Sequence, residues 1–164
     1  MFFAIKICTD NMKLLFVCLG NICRSPLGEG IMQSLSDKYQ LSLYIDSAGT
    51  SAYHVGEAPD SRSIAVAQKN GISIGDQRSR KLSKKDLITF DIIFAMDASN
   101  KSKLFAEAPK DTKAKIYLLR EFDTISKGSD VPDPYYGGDS GFDDCFQMIY
   151  RSCENFLLEE GLLK

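Results

Sequence analysis

The chain has 164 residues, enough for one ordinary globular domain and short for two. Its composition is 44% hydrophobic, 26% charged and 10% aromatic, which supports a real core and excludes disordered, collagenous and disulfide-built chains. The net charge of −2 argues against a general nucleic-acid binder, and it is uneven: residues 1–119 hold 16 basic and 12 acidic groups, while 120–164 hold 4 and 10. An anionic ligand should therefore prefer the N-terminal two-thirds.

No apolar run approaches 18 residues, so no membrane span is expected. The start, MFFAIKIC, is interrupted by Lys6 and followed by Asp10 and Asn11, a poor fit to a signal peptide. Five cysteines without regular spacing point to a reducing cytoplasm rather than a disulfide framework. The single histidine, His54, makes a His-rich metal site or a Ser-His-Asp triad improbable and reads as a plain surface residue.

In chain order, residues 13–18 form a short apolar run before a Gly-Asn turn signal and predict a buried strand. Ser25 suits an N-cap and Pro26 a first helical position; Leu27, Ile31, Leu35 and Tyr39 then share one helix face. A second strand is expected over 41–49, and a helix capped by Asp60 runs to Ala67 and closes at Asn70-Gly71. Ser83 and Asp86 make a capping box for a short helix, followed by a strand over 91–96 and a helix over 99–106. A fourth strand spans 113–119, a Pro/Gly/Asp-rich loop 129–141, and a final amphipathic helix runs from Phe142 through Cys145, Phe146, Ile149 and Cys153 to Leu157. Strands alternating with helices predict an α/β fold: a parallel sheet of four strands, flanked by helices on both faces. Ligands of such sheets bind beyond the carboxyl ends of the strands, where Cys18 to Ser25 lies.

That loop, Cys18-Leu19-Gly20-Asn21-Ile22-Cys23-Arg24-Ser25, packs a strand end, a tight turn and a helix start into eight residues. Its amides and the helix dipole favour an anion, here a phosphate. Gly20 and Asn21 best tolerate the positive φ angles that curl amides inward. Arg24 offers a fork of donors for two phosphate oxygens. Cys18 shares the same field, which favours its thiolate and suits attack on phosphorus, and Ser25 can support the sulfur as it leaves. Cys18 could also simply end a buried strand as an apolar residue. The Cys-to-Arg spacing alone is weak; the strand, the Gly-Asn turn and the Ser-Pro helix start around it carry the functional reading.

Residues 14–26, LLFVCLGNICRSP, resemble the signature of the low-molecular-weight protein tyrosine phosphatases. The likeness extends to Asp46-Ser-Ala-Gly-Thr50, Asn70-Gly-Ile72, Phe90-Asp91, Met96-Asp97, Asn100 and Asp133-Pro-Tyr-Tyr-Gly137, and so covers about residues 12–160. The resemblance implies a single domain with residues 1–11 as an N-terminal extension, no metal or cofactor, and a phosphocysteine intermediate. It implies Cys18 as nucleophile, Arg24 as phosphate clamp and Asp133 as general acid. Read from the residues alone, Asp130, Asp133 and Asp139 are equal candidates for the acid, and only the resemblance chooses among them. It also implies that Asn21 and Ser47 brace the loop. Ile22, Tyr53, Tyr135 and Tyr136 are expected to wall an aromatic slot. Cys18 and Cys23 are expected to form a reversible disulfide under oxidation. The expected partners are phosphotyrosine proteins or small aryl phosphates, with inhibition by phosphate- or vanadate-like oxyanions and no nucleic-acid or membrane partner; a monomer is expected.

The chain departs from the pattern at Asn70, where many relatives have His, and at Gly28 and Gly30, where alanines are common and glycine should weaken the helix. The basic set Arg78, Arg80, Lys81, Lys84 and Lys85 reads as a solvated face. Two rivals follow from the same loop. An arsenate reductase of this fold needs relay cysteines after the second helix, and none lies between Cys23 and Cys145. A silent phospho-residue binder needs no complete set of Cys, Arg, Ser and Asp. A relative that dephosphorylates arginine carries Thr where this chain has Ile22, so phosphotyrosine is expected over phosphoarginine and phosphoserine.

Overall fold

The computed structural model describes residues 11–136 and 139–163, without the side chains of Tyr136, Asp139 and Ser140. The expected extension, apart from Asn11, and the slot residue Tyr136 as a side chain thus lie outside the described residues. Four strands, β1 (Met12–Cys18), β2 (Leu43–Gly49), β3 (Ile92–Ala95) and β4 (Lys115–Leu118), form one parallel sheet in the order β2-β1-β3-β4. The chain leaves β1 toward β2 on one side and returns to β3 on the other, so the strand order reverses at β1. A crevice opens at such a switch point, beyond the strand ends.

Side-chain alternation divides the core into two layers. Leu14, Phe16 and Cys18 face a layer shared with α1 (Arg24–Lys38), α2 (Ser61–Lys69) and α5 (Asp139–Glu159). Leu15 and Val17 face a smaller layer with Leu87 of α3 (Lys84–Thr89) and Leu104 of α4 (Ala98–Glu107). Phe94 joins the larger layer, stacked on Phe16 at 5.0 Å and edge-on to Phe156 at 4.9 Å. Each such fully buried ring contributes roughly 2–3 kcal/mol, so these strands have little freedom to slip in register.

Most predicted elements form, with shifted ends. Asp60 caps α2 through the Arg62 amide at 2.8 Å, and Asp86 closes back on the Ser83 N–H at 2.8 Å. α4 begins earlier than expected because Asp97 caps it by accepting from Asn100 N. β4 ends at Leu118, where Glu121 accepts from the Leu118 N–H and turns the chain into a 3-10 turn, Leu119–Phe122. The predicted loop 129–141 holds a 3-10 turn, Pro134–Tyr136, and the first residues of α5. Ser25 is not the N-cap of α1: Cys23 holds that position, and the Ser25 hydroxyl points at the Cys18 sulfur instead.

The two helix glycines have a packing reason. A Cβ on Gly28 would lie 2.5 Å from the Phe16 ring, and one on Gly30 would collide with Ile74. α1 therefore lies closer to the sheet than an alanine would permit. Asn70 stays within its own helix end, donating to Val66 O at 2.8 Å. No helix among the described residues is long and apolar enough to cross a membrane.

Candidate active site

The loop after β1 curls around the end of its own strand. Cys18 is buried, and its sulfur lies 3.3 Å from the Asn21 N–H and 3.0 Å from Ser25 Oγ. Asn21 reaches this shape with a φ of +55°, which asparagine tolerates better than most residues. Gly20, expected to share that conformation, does not have a positive φ. Its small size matters for another reason: a Cβ there would lie 3.0 Å from the His54 ring.

Asn21 holds the loop with both polar atoms of its side chain. Its Nδ2 donates to Ser25 Oγ at 2.8 Å and to Ser47 Oγ at 2.9 Å, and its Oδ1 accepts from Arg80 N at 3.0 Å. Because Ser25 accepts from Asn21, its own proton is available to point at the Cys18 sulfur. Ser47 in turn donates to Glu29 Oε2 at 2.6 Å. A continuous hydrogen-bond chain thus runs from Glu29 to the thiol. Burial pushes the Glu29 carboxyl up to about 7, with Asp46 adding to the rise and Ser47 and Arg80 opposing it.

Arg24, at the first turn of α1, is almost fully buried. Burial disfavours its charge, but Cys18, Asp97 and Asp133 outweigh that and raise its pKa further. Its Nη1 donates to Asp97 Oδ2 at 2.7 Å and to Val131 O at 2.9 Å, while Nη2 lies 3.8 Å from Asp133 Oδ2. The three candidate loop carboxylates separate here. Asp130 is occupied in accepting from the Ala98 amide at the start of α4, Asp133 lines the cleft, and the Asp139 side chain is not among those described.

Cys18, Leu19, Gly20, Ile22, Cys23, Arg24, Tyr53, Asp133 and Tyr135 surround one cleft of about 180 Å³, joined by Ser51 and His54. Tyr53 is 84% exposed on one side and Tyr135 partly exposed on the other. Arg62 steadies Tyr135 by donating to its carbonyl at 3.2 Å and lying over its ring. Burial pushes Cys23 up to about 12, helped by Asp60, Cys18 and Asp133.

His54 is not the plain surface residue expected. It lines the cleft, with Nδ1 2.6 Å from Glu57 Oε2. The contact with Glu57 is local, three residues along the chain, but nothing in that spacing points to the cleft. Asp97 and Arg62 were harder to find, since they meet their partners 73 residues away. The basic set also divides. Arg80 is half-buried and pairs with Asp46 and Asp86 at 3.0 Å each, whereas Lys81, Lys84 and Lys85 are exposed.

Fold and site together define an α/β protein with a tightly curled, cysteine-bearing loop at its sheet switch point. The family profile described as low molecular weight phosphotyrosine protein phosphatase matches residues 13–164. A relative of that name from Schizosaccharomyces pombe is 44% identical over 152 residues, covering 91% of this chain and 97% of its own. Among solved structures, a protein tyrosine phosphatase from Entamoeba histolytica with Hepes in the active site matches with a TM-score of 0.85 and 44% identity, over 93% of this chain and 99% of the other. A second, the drosophila arginine phosphatase DARP, matches with a TM-score of 0.86 and 36% identity, over 91% of this chain and 98% of the other. The chain belongs to the low molecular weight phosphotyrosine protein phosphatase family, whose members are hydrolases.

Proposed function

We propose that this chain hydrolyses phosphotyrosine in proteins, and small aryl phosphates, through a phosphocysteine intermediate on Cys18. The observation that carries this is the Cys18 sulfur at the floor of a cleft that also holds Arg24 and Asp133, with the Asn21 amide and the Ser25 hydroxyl directed at it. With Nη1 of Arg24 committed to Asp97 and Val131, the remaining Nε and Nη2 serve the transferring phosphoryl oxygens. The Cys18 thiolate attacks phosphorus as the phosphorus–aryl oxygen bond breaks, and Asp133 gives the leaving oxygen its proton. Water then attacks the phosphocysteine and passes a proton back to the Asp133 carboxylate. The sulfur leaves as a thiolate supported by Ser25, and inorganic phosphate is released. Binding of Hepes, a sulfonate, in the Entamoeba active site is consistent with an oxyanion site here, inhibited by phosphate or vanadate.

The decisive measurement is turnover of p-nitrophenyl phosphate with a chelator present. Cys18→Ser should lose turnover yet retain vanadate binding, and Arg24→Ala should lose both. Asp133→Asn should slow alkyl-substituted phenyl phosphates far more than nitro-substituted ones, because a poor leaving group depends on the proton. Near-normal turnover by Cys18→Ser would overturn the mechanism.

The structural match to an arginine phosphatase makes phosphoarginine the competing substrate. Ile22 favours phosphotyrosine: its branched apolar side chain lines the cleft beside Tyr53 and Tyr135 and offers a guanidinium no hydrogen bond. Phosphoserine would be too short to reach Cys18 from that aromatic rim. Matched peptides should show kcat/KM highest for phosphotyrosine, and Ile22→Thr should move the preference toward phosphoarginine. Equal efficiency on both in the unmodified protein would remove Ile22 from this role.

A further inference from the structure

A second and larger depression, about 560 Å³, adjoins the cleft and shares Leu19, Ser51 and Tyr53 with it. On its far side stand Lys81 and Lys103. Among the described residues these are the only groups in its lining that carry charge at neutral pH, and neither forms an ion pair.

The walls are tied to the phosphate loop. Ser51 donates through both N–H and Oγ to Leu19 O, at 2.9 and 3.0 Å. The backbone on either side of Lys81 is stitched to the end of β2: Gly49 donates to Arg80 O at 2.9 Å and accepts from Leu82 N at 2.8 Å. Lys103 stands one helical turn after Ser99 on α4, whose cap Asp97 also holds Arg24. Two unpaired ammonium groups are thus carried on elements fixed relative to Cys18, across an exposed Tyr53 and a half-exposed Leu19.

Resting on the phosphotyrosine reading above, we propose that this groove is a second substrate subsite, where Lys81 and Lys103 receive the carboxylate side chain of an acidic residue close to the phosphotyrosine of a peptide or protein. Charge selects the occupant: a basic flank would be repelled by both lysines, and a neutral flank gains only the Tyr53 and Leu19 contacts. The groove is contiguous with the cleft, so a chain whose phosphotyrosyl ring passes between Tyr53 and Tyr135 can continue over Tyr53 into it. Because the lysines lie outside the reacting cleft, they act on capture of the substrate rather than on the chemical step.

The test is kcat/KM on phosphotyrosyl peptides that carry aspartate, alanine or lysine within three residues on either side, with p-nitrophenyl phosphate as the control. At low ionic strength the acidic peptide should exceed the alanine peptide by about fivefold, mainly through KM, and the gap should shrink as salt rises. Lys81→Ala with Lys103→Ala should erase that gap and leave p-nitrophenyl phosphate turnover unchanged. Lys81→Glu with Lys103→Glu should reverse it in favour of the lysine peptide. Equal efficiency on acidic and alanine peptides, or a preference surviving in the double variants, would overturn the subsite while the phosphatase reading stands. Turnover of p-nitrophenyl phosphate with no turnover of any phosphotyrosyl peptide would instead overturn the parent reading and the subsite with it.

Discussion

Glu29 illustrates how far a single residue's behaviour depends on what surrounds it. Its carboxyl is held at about 7 against an ordinary 4.5, chiefly by burial, with Asp46 adding to the rise and Ser47 and Arg80 opposing it. The folded state therefore keeps this proton to higher pH than the unfolded chain does. Stability falls as pH rises from about 4.5 to 7, and the full cost, on the order of 3 kcal/mol, is present above that window. Glu29→Gln keeps an acceptor for Ser47 and removes the charge, so it should leave the melting temperature nearly unchanged at pH 4.5 and raise it at pH 8. A pH-independent difference would show that Glu29 is ionised throughout. The cysteines make a second case. Cys18 and Cys23 belong to one curled loop, and peroxide should convert Cys18 to a sulfenic acid that Cys23 attacks, releasing water and forming a disulfide. Part of the rise in the Cys23 pKa comes from Cys18, and that part disappears once Cys18 is oxidised. Peptide mapping after mild oxidation should find the 18–23 link and dithiothreitol should restore activity; Cys18 found only as sulfinic or sulfonic acid would refute it.

At the scale of elements, α1 lies against β1 at a distance set by Gly28. Alanine would improve helix propensity by about 1 kcal/mol. It would also put a methyl group 2.5 Å from a Phe16 ring that is fully buried and stacked on Phe94. Overpacking of that kind costs about 1–3 kcal/mol, so the clash wins. Gly28→Ala should lower the melting temperature, and combining it with Phe16→Leu should recover part of the loss. A rise in melting temperature with Gly28→Ala alone would show that α1 can move away freely. Helix periodicity could not reveal this, because it reports which face is apolar and not how close the face comes. The caps of α2 and α3 were legible for the opposite reason: Asp60 with Arg62 and Ser83 with Asp86 are contacts within three residues. Ser25 had the right chemistry for a cap, but the loop gave its hydroxyl a closer use at Cys18.

Across the whole molecule, the C-terminal third is clamped by Asp123, which is buried and binds Arg120 at 2.8 Å and Arg151 of α5 at 3.1 Å. Burial works to raise its pKa, but Arg151, the Ile125 amide and Arg120 together hold it down at about 2. This stability is fully present above about 3.8 and disappears as pH falls toward 2. Asp123→Asn leaves the buried Arg120 without its counter-charge and should cost about 3 kcal/mol in urea unfolding at pH 7, with a smaller loss near pH 2. A loss that does not vary with pH would count against the clamp. The sequence by itself determined the α/β class, the four strands, the tight loop from Cys18 to Ser25 between strand and helix, and the periodicity of α5, because each is written in neighbouring residues. Only the tertiary structure decided that Asp97 holds Arg24, that His54 lines the cleft, that Asp130 is occupied elsewhere, and that Lys81 and Lys103 share a groove. Those relations join residues tens of positions apart. They depend on which helix the sheet order brings beside which strand end, and no local pattern along the chain carries that distance.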